Sequence, residues 1–267
     1  MEVIPLHHRA TVLTNTLLCD EHYLLTLRHG GIANITEPGQ FVQLRVNRSA
    51  DLLLRRPFSI ARVRPDQEQF DIVYRVVGKG TRVMVDLKPG EGVDLIGPLG
   101  QGFHLPKTRS TCLLVGGGVG VAPLWGLAEK LSQQQHPTIA LLGFRSIRFR
   151  FGEDVFKTLK TEIVVTTDDG SYGTKGLASD HLQTLLKRQI DQIYLCGPPA
   201  MLRVAIPMAR EAGIKGEVSL EEHMGCGFGV CLSCVAKVWR DGTVERVRVC
   251  FEGPVFPVED VVLDDET

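Results

Sequence analysis

Cys112-Leu113-Leu114-Val115-Gly116-Gly117-Gly118-Val119-Gly120-Val121-Ala122-Pro123 runs from an apolar stretch, through a glycine turn, to a proline at which a helix can begin. That order reads as a buried strand, a tight turn and a helix start, the repeating unit of a parallel α/β sheet. The 19 residues 110–128 around it carry no charge and are long enough to raise the question of a membrane span. Five glycines and Pro123 among them argue against one. Backbone N–H groups at such a turn make a seat for a pyrophosphate. The turn nevertheless departs from the dinucleotide fingerprint: counting G-x-G-x-x-G from Gly116 puts Val121 at the third glycine. No Asp or Glu ends the next strand either, which runs out as Gly143-Phe144-Arg145-Ser146, so an ordinary Rossmann dehydrogenase is disfavoured.

Downstream the alternation continues. Apolar strands are expected at 112–115, 139–142, 163–166 and 193–196, and helices at 121–131, 177–187 and 200–212. Cys196-Gly197-Pro198-Pro199-Ala200-Met201 is a second strand-to-helix junction, at the carboxyl edge of the sheet where ligands bind. Upstream, short β-rich runs at 22–27, 41–46, 58–63, 70–77 and 92–96 are separated by Pro38-Gly39, Arg64-Pro65-Asp66 and Pro89-Gly90, which suggests an antiparallel barrel. Arg55-Arg56-Pro57-Phe58-Ser59 ends a leucine run and starts a strand. A guanidinium there can grip a diphosphate, with an aromatic and a hydroxyl placed to face a planar ring. Surface arginines before a strand would explain the pentapeptide equally well. Val73-Tyr74-Arg75 lies in a later strand, and Gly78-Lys79-Gly80-Thr81 opens a short helix, either as a phosphate seat or as a simple cap.

Beyond residue 217 stand Cys226, Cys231, Cys234 and Cys250, a C-x4-C-x2-C-x15-C run with glycine at 225, 227 and 229. This spacing wraps thiolates around a plant-type [2Fe–2S] cluster, and the glycines keep side chains away from the backbone N–H groups that face the sulfurs. Structural zinc is the alternative, although zinc motifs present two short cysteine knuckles and only one short pair exists here. Without a secretory leader a reducing, cytoplasmic setting is expected, which disfavours disulfides. Cys19, Cys112 and Cys196 are expected as small core residues. Two strand-like runs follow at 235–239 and 244–249, and the acidic end Asp264-Asp265-Glu266 reads as solvated tail.

At 267 residues the chain has room for two domains and an appendage, expected at 1–105, 106–217 and 218–267. Thirty Lys and Arg against 31 Asp and Glu, with pI near 6.7, generate no field for nucleic acid or an anionic membrane.

The ordered set Arg56-Pro57-Phe58-Ser59, Gly78-Lys79-Gly80-Thr81, the triple glycine and Cys196-Gly197-Pro198-Pro199-Ala200-Met201 resembles the ferredoxin–NADP reductase superfamily. Residues 221–234 and Val249-Cys250-Phe251-Glu252-Gly253-Pro254-Val255-Phe256 narrow the resemblance to electron-transfer subunits of class 1B dihydroorotate dehydrogenase. It implies an FAD-binding barrel, a parallel-sheet nucleotide domain and a small C-terminal [2Fe–2S] domain. On matching positions, Arg56 and Ser59 would contact FAD, Pro57 and Phe58 would shape its pocket, Val73, Tyr74 and Arg75 would line it, and Gly80 with Thr81 would bind the diphosphate. Gly116, Gly117, Gly118 and Gly120 would receive NAD(H), with Cys196 and Gly197 beside the nicotinamide. Two departures are visible: Phe58 stands where many members have tyrosine, and Glu252 where aspartate is common.

The resemblance implies that NADH gives a hydride to FAD, which passes single electrons to the cluster. No catalytic acid–base pair is expected, and His223 reads as a loop or interface residue. A dihydroorotate site needs a flavin barrel of its own, on the order of 250 residues. An FMN-containing catalytic subunit is therefore the expected partner, in a heterotetramer, with neither nucleic acid nor membrane. The alternatives are an NAD(P)H–ferredoxin or sulfur-reducing flavoprotein subunit, for which Arg145, Arg148 and Arg150 would suit a 2′-phosphate, and a zinc-containing binding module.

Overall fold

The computed structural model describes residues 7–46 and 52–263. The acidic end at 264–266 lies outside them. Six strands close an antiparallel barrel: β1 (His7–Cys19), β2 (His22–Arg28), β3 (Phe41–Arg45), β4 (Arg56–Arg64), β5 (Gln69–Arg75) and β6 (Gly92–Leu99), in the order β1-β2-β5-β4-β3-β6. β1 is absent from the sequence-based expectation for a physical reason. Its pairing with β2 shifts register between Val12 and Thr14 and again between Leu17 and Cys19, and such bulges break the period-two pattern. A closed barrel leaves no unpaired edge, and Leu25, Leu27, Leu44, Phe70, Ile72 and Leu95 fill its interior without any exposure.

The second unit is a seven-stranded sheet in the order β10-β9-β8-β7-β11-β12-β15. Its strands are β7 (Cys112–Gly117), β8 (Thr138–Phe144), β9 (Glu162–Thr167), β10 (Thr174–Lys175), β11 (Gln192–Cys196), β12 (Lys215–Ser219) and β15 (Val255–Pro257). After α1 (Gly30–Ile35) and α2 (Lys79–Val85) of the barrel, the helices expected at 121–131, 177–187 and 200–212 are α3 (Pro123–Gln133), α5 (Ala178–Leu185) and α6 (Pro199–Glu211), with the short α4 (Glu153–Thr158) between α3 and α5. All pairings are parallel except β12 with β15, which is antiparallel. β7 lies between β8 and β11, so successive connections leave it on opposite sides. Ligands bind outside the carboxyl ends of strands at such a switch point.

The C-terminal block is interlocked with that sheet. β12 continues past the expected boundary at 217, and the motif after the last cysteine returns as β15 to pair with it. A three-stranded sheet, β14 (Thr243–Arg248), β13 (Val235–Arg240) and β16 (Val261–Val262), packs Val238, Val247 and Val261 into the same apolar cluster as Leu202, Ala205 and Ile206 of α6.

Barrel and sheet meet where α3 lies on β4. Gly126 permits this close approach, since a Cβ would stand 3.1 Å from the Ala61 carbonyl oxygen and press the two elements apart. Alongside, the fully buried Asp71 accepts from Arg64 through two bonds of 2.7 Å, from Arg62 at 2.7 Å and from the Thr26 hydroxyl at 2.8 Å. Burial alone would raise its carboxyl, but the hydrogen bonds from Arg64 and Arg62 outweigh it and hold the group below the ordinary carboxylate range. Arg62 also sits 5.7 Å over the Trp125 ring of α3, joining the two units. Cys112 and Cys196 are buried, as expected, whereas Cys19 is half-buried at the end of β1. Among the described residues no helix is long and apolar enough to cross a membrane.

Candidate functional site

The cysteine loop connects β12 to β13 without regular structure. Gly227 and Gly229 hold φ of +84° and +87°, the left-handed region that β-carbons disfavour, and this turns successive N–H groups inward. Val230 and Cys231 donate to the Cys226 sulfur at 3.3 and 3.5 Å, and Cys226 donates back to the Cys231 sulfur at 3.4 Å. Gly229 donates to the Cys250 sulfur at 3.1 Å, and Cys250 to that of Cys234 at 3.4 Å. Burial raises the Cys226 thiol, but N–H groups of Cys231, Phe228 and Val230 converge on it and hold it at about 6. Burial, with the Cys234 thiol beside it, pushes Cys250 up to about 12.

The sulfurs thus form two pairs, Cys226 with Cys231 and Cys234 with Cys250. Among the described residues no three metal-ligating side chains gather around one point. A two-iron centre asks for two thiolates on each iron, and the two cysteine pairs fit that demand. Arg248 anchors the loop by donating to the Gly229 carbonyl at 2.7 Å. Glu252, the departure noted in the sequence, holds Arg248 in place through contacts of 2.6 to 3.1 Å.

Between the start of β4 and this loop lies a cavity of about 560 Å³, walled by Arg56 and Pro57 on one side and by His223, Met224 and Gly225 on the other. The two neighbouring arginines have different roles. Arg55 is committed to Asp94 at 2.6 Å inside the barrel wall. Arg56 instead lies over Gly80, where a Cβ would meet its Nε at 3.1 Å, so the cation and the opening of α2 (Lys79–Val85) come together. The Thr81 hydroxyl is occupied in the turn, accepting from the N–H groups of Val77 and Gly78 at 3.0 and 3.1 Å. What Thr81 can offer an anion there is its backbone N–H, beside the Arg56 guanidinium. Strand alternation separates the Val73–Arg75 trio. Val73 faces the sheet, Arg75 faces the second cavity described below, and Tyr74 is sealed in the barrel with its hydroxyl on Asn15 at 3.1 Å. Phe58 packs edge-on to Tyr74, its centroid 6.1 Å away, while Ser59 is half-buried opposite Phe41 on β3.

A second cavity, of about 510 Å³, opens at the switch point. Gly120 is required by close approach, since a Cβ would stand 2.6 Å from the Cys196 carbonyl. Gly116 is crowded by Val121, and Gly117 and Gly197 by Met201. Gly118 differs: its φ is +53° and nothing lies within 4 Å of a Cβ there, so it faces open space. Cys196 itself is buried, its thiol raised by burial and by the nearby Glu221 carboxylate.

Sequence reasoning missed Glu221, Asp168 and His22, which line this cavity. Glu221 follows β12 and could have been found had that strand been recognised. Solvent reaches it through the cavity mouth, yet the surrounding walls push its carboxyl upward. Of the three arginines considered for a 2′-phosphate, Arg148 pairs with Asp20 at 2.5 Å and Arg150 with Glu153 at 2.6 Å. Arg145 lines the cavity beside Asp168, whose carboxyl burial raises.

Residues 221–262 match the family described as the iron–sulfur cluster binding domain of dihydroorotate dehydrogenase B, and residues 114–206 match the oxidoreductase NAD-binding domain. The chain is 41% identical over 258 residues to the dihydroorotate dehydrogenase B (NAD(+)) electron transfer subunit of Desulforamulus reducens, covering 95% of this chain and 97% of that protein. The subunit of the same name from Fusobacterium nucleatum is 38% identical over 259 residues, covering 95% and 98%. A solved NADH-dependent reduced ferredoxin–NADP oxidoreductase superposes with a TM-score of 0.84 at 30% identity, over 95% of this chain and 89% of that one. The cytochrome b5 reductase domain of Ulva prolifera nitrate reductase shares the fold alone, with a TM-score of 0.65 at 16% identity over 79% of this chain and 96% of that one. Since such identity extends along almost the full length of these relatives, and the cysteine module is the part their family is defined by, the chain belongs to the dihydroorotate dehydrogenase B (NAD(+)) electron transfer subunits.

Proposed function

We propose that this chain exchanges electrons with NAD(H) and carries them singly to or from an FMN-containing dihydroorotate dehydrogenase catalytic subunit, with which it forms a heterotetramer. The observation that carries the reading is the cavity lined by Arg56 and Pro57 and by His223, Met224 and Gly225 of the cysteine loop, which supports a flavin held next to the one-electron exit. When bound, FAD would take up one hydride, two electrons together, and the [2Fe–2S] cluster would pass electrons one at a time. The chain's residues do the rest. Arg56 and the backbone of Gly80 and Thr81 bind the diphosphate, and Pro57, Phe58 and Ser59 hold the ring side, with Tyr74 backing Phe58 from inside the barrel while Val73 packs towards the sheet and Arg75 reaches the second cavity. Gly116, Gly117, Gly118 and Gly120 admit the dinucleotide to the switch point, and Cys196 with Gly197 closes the floor beside the nicotinamide. Cys226, Cys231, Cys234 and Cys250 hold the cluster. Around it Phe228, Val230, Leu232 and Phe251 stand exposed, a patch suited to burial against the catalytic subunit.

Arg56→Ala should weaken FAD retention by a charge-assisted contact of about 1.5–3 kcal/mol, roughly ten- to a hundredfold in affinity. Flavin absorbance of the purified variant against its thermal midpoint checks this, and parental flavin content would contradict it.

With Arg148 and Arg150 paired, Arg145 is the one of the three arginines that faces the cavity, and Asp168 beside it sets a carboxylate against a 2′-phosphate where the ribose hydroxyls of NADH would meet an acceptor. NADH should be preferred to NADPH by about tenfold or more in kcat/KM, and Asp168→Ala should narrow the gap. Equal use of the two by the parent chain would refute the assignment.

Cys231 is exposed, so its serine variant should fold. The parent should contain about two iron and two sulfide per chain. Cys231→Ser should still pass hydride from NADH to an accepting dye, yet fail to drive the catalytic subunit added in trans. Coupled turnover at the parental rate would overturn the proposed route.

A further inference from the structure

We infer that Gln43 on β3 is the positioning residue that holds the cysteine loop at its distance from the flavin strand and so sets the speed of one-electron exit, an inference that rests on the electron-exit reading above. Gln43 has no solvent exposure although it projects from the barrel wall. Its neighbours on β3, Val42 and Leu44, fill the barrel interior, so strand alternation sends Gln43 outward. Register sets it opposite Pro57 of β4, whose side chain shares its face and lines the cavity described above.

What covers Gln43 is the cysteine loop. Its Nε2 donates to the Met224 sulfur at 3.7 Å. A Cβ on Gly227 would stand 2.4 Å from both the Cγ and the Nε2 of Gln43, so the peptide next to Cys226 rests directly on this side chain. A glycine at 227 is therefore required twice, by its φ of +84° and by the contact.

The amide is held by packing, not by a closed hydrogen-bond set. Its Oε1 is buried without a partner among the described residues. Turning the amide over would bring Oε1 to a thioether, which donates nothing, and would orphan an N–H instead. Either orientation leaves one polar atom unpaired among the described residues, a cost that a purely local core position would shed by carrying an apolar residue. One side chain thus touches the strand of the flavin motif through Pro57 and the ligand loop through Met224 and Gly227. The step it serves moves one electron and no atom, so distance and packing between the two sites govern its rate.

The test uses the full chain with its cofactors. NADH-driven reduction of cytochrome c, a one-electron acceptor, is compared with reduction of a hydride-accepting dye, and visible circular dichroism reports the setting of the cluster. In Gln43→Ala the ratio of cytochrome c to dye reduction should fall about tenfold or more, and the dichroism should change. Gln43→Met, which restores length and volume, should return both toward the parent. Where Gln43→Ala does not fold, Gln43→Asn, one methylene shorter, should show the same direction of change. An unchanged ratio and dichroism in the shortened variant overturns the inference, as does a Gln43→Met chain as impaired as Gln43→Ala. A parent chain without iron would defeat the electron-exit reading itself. The positioning role is then judged by amide hydrogen exchange over residues 224–231, which Gln43→Ala should speed about tenfold if the contact holds the loop and leave unaltered if it does not.

Discussion

Everything at the electron-exit end depends on turning backbone N–H groups toward four cysteine sulfurs. Four of the five such contacts, of 3.1 to 3.5 Å, come from N–H groups between Cys226 and Cys231, where Gly227 and Gly229 take left-handed φ values closed to most residues, and the fifth runs from Cys250 to Cys234. The same turn brings the bare Gly227 against Gln43, placing the loop within contact of the barrel. The loop's far end is secured separately. β15 adds to the sheet beside β12, and Arg248, gripped by Glu252, holds the Gly229 carbonyl. A loop without secondary structure is thereby fixed at both ends to rigid elements, as the orientation of metal ligands demands.

The two cavities are held in fixed relation by the packing of α3 on β4. The close approach at Gly126, the guanidinium of Arg62 over Trp125 and the satisfied carboxylate of Asp71 leave little freedom for sliding between barrel and sheet. Arg75 links the units in a different way. It leaves the barrel at β5, pairs with Glu21 at 2.8 Å and lies 5.9 Å over Phe149, so the cavity at the switch point is built from both halves of the chain.

Much of this was legible in the sequence because backbone chemistry imposes its own punctuation. The strand, glycine turn and Pro123 announced a parallel sheet, and the cysteine spacing announced a two-iron centre. What stayed hidden depends on tertiary pairing. β1 is obscured by its register shifts, and β15 is too short to carry periodicity. Tyr74, grouped in sequence with Val73 and Arg75, faces the barrel interior because alternation sends it there. Gln43 could not be singled out at all: an isolated glutamine in a strand pattern signals nothing until the loop lying on it is seen, more than 180 residues later in the chain. Arg148 and Arg150 illustrate the converse, since charges suggestive of phosphate prove to be paired with Asp20 and Glu153.

The central claim, that one chain carries a two-electron site and a one-electron exit within reach of each other, is tested most directly by anaerobic titration of the purified chain with NADH. Flavin absorbance and the electron paramagnetic resonance of the cluster would be followed together. The structure calls for uptake of about three electrons per chain, two at the flavin and one at the cluster, with the cluster signal rising as NADH is added. Uptake ending at about two electrons, with the cluster silent while the flavin is fully reduced, would contradict it.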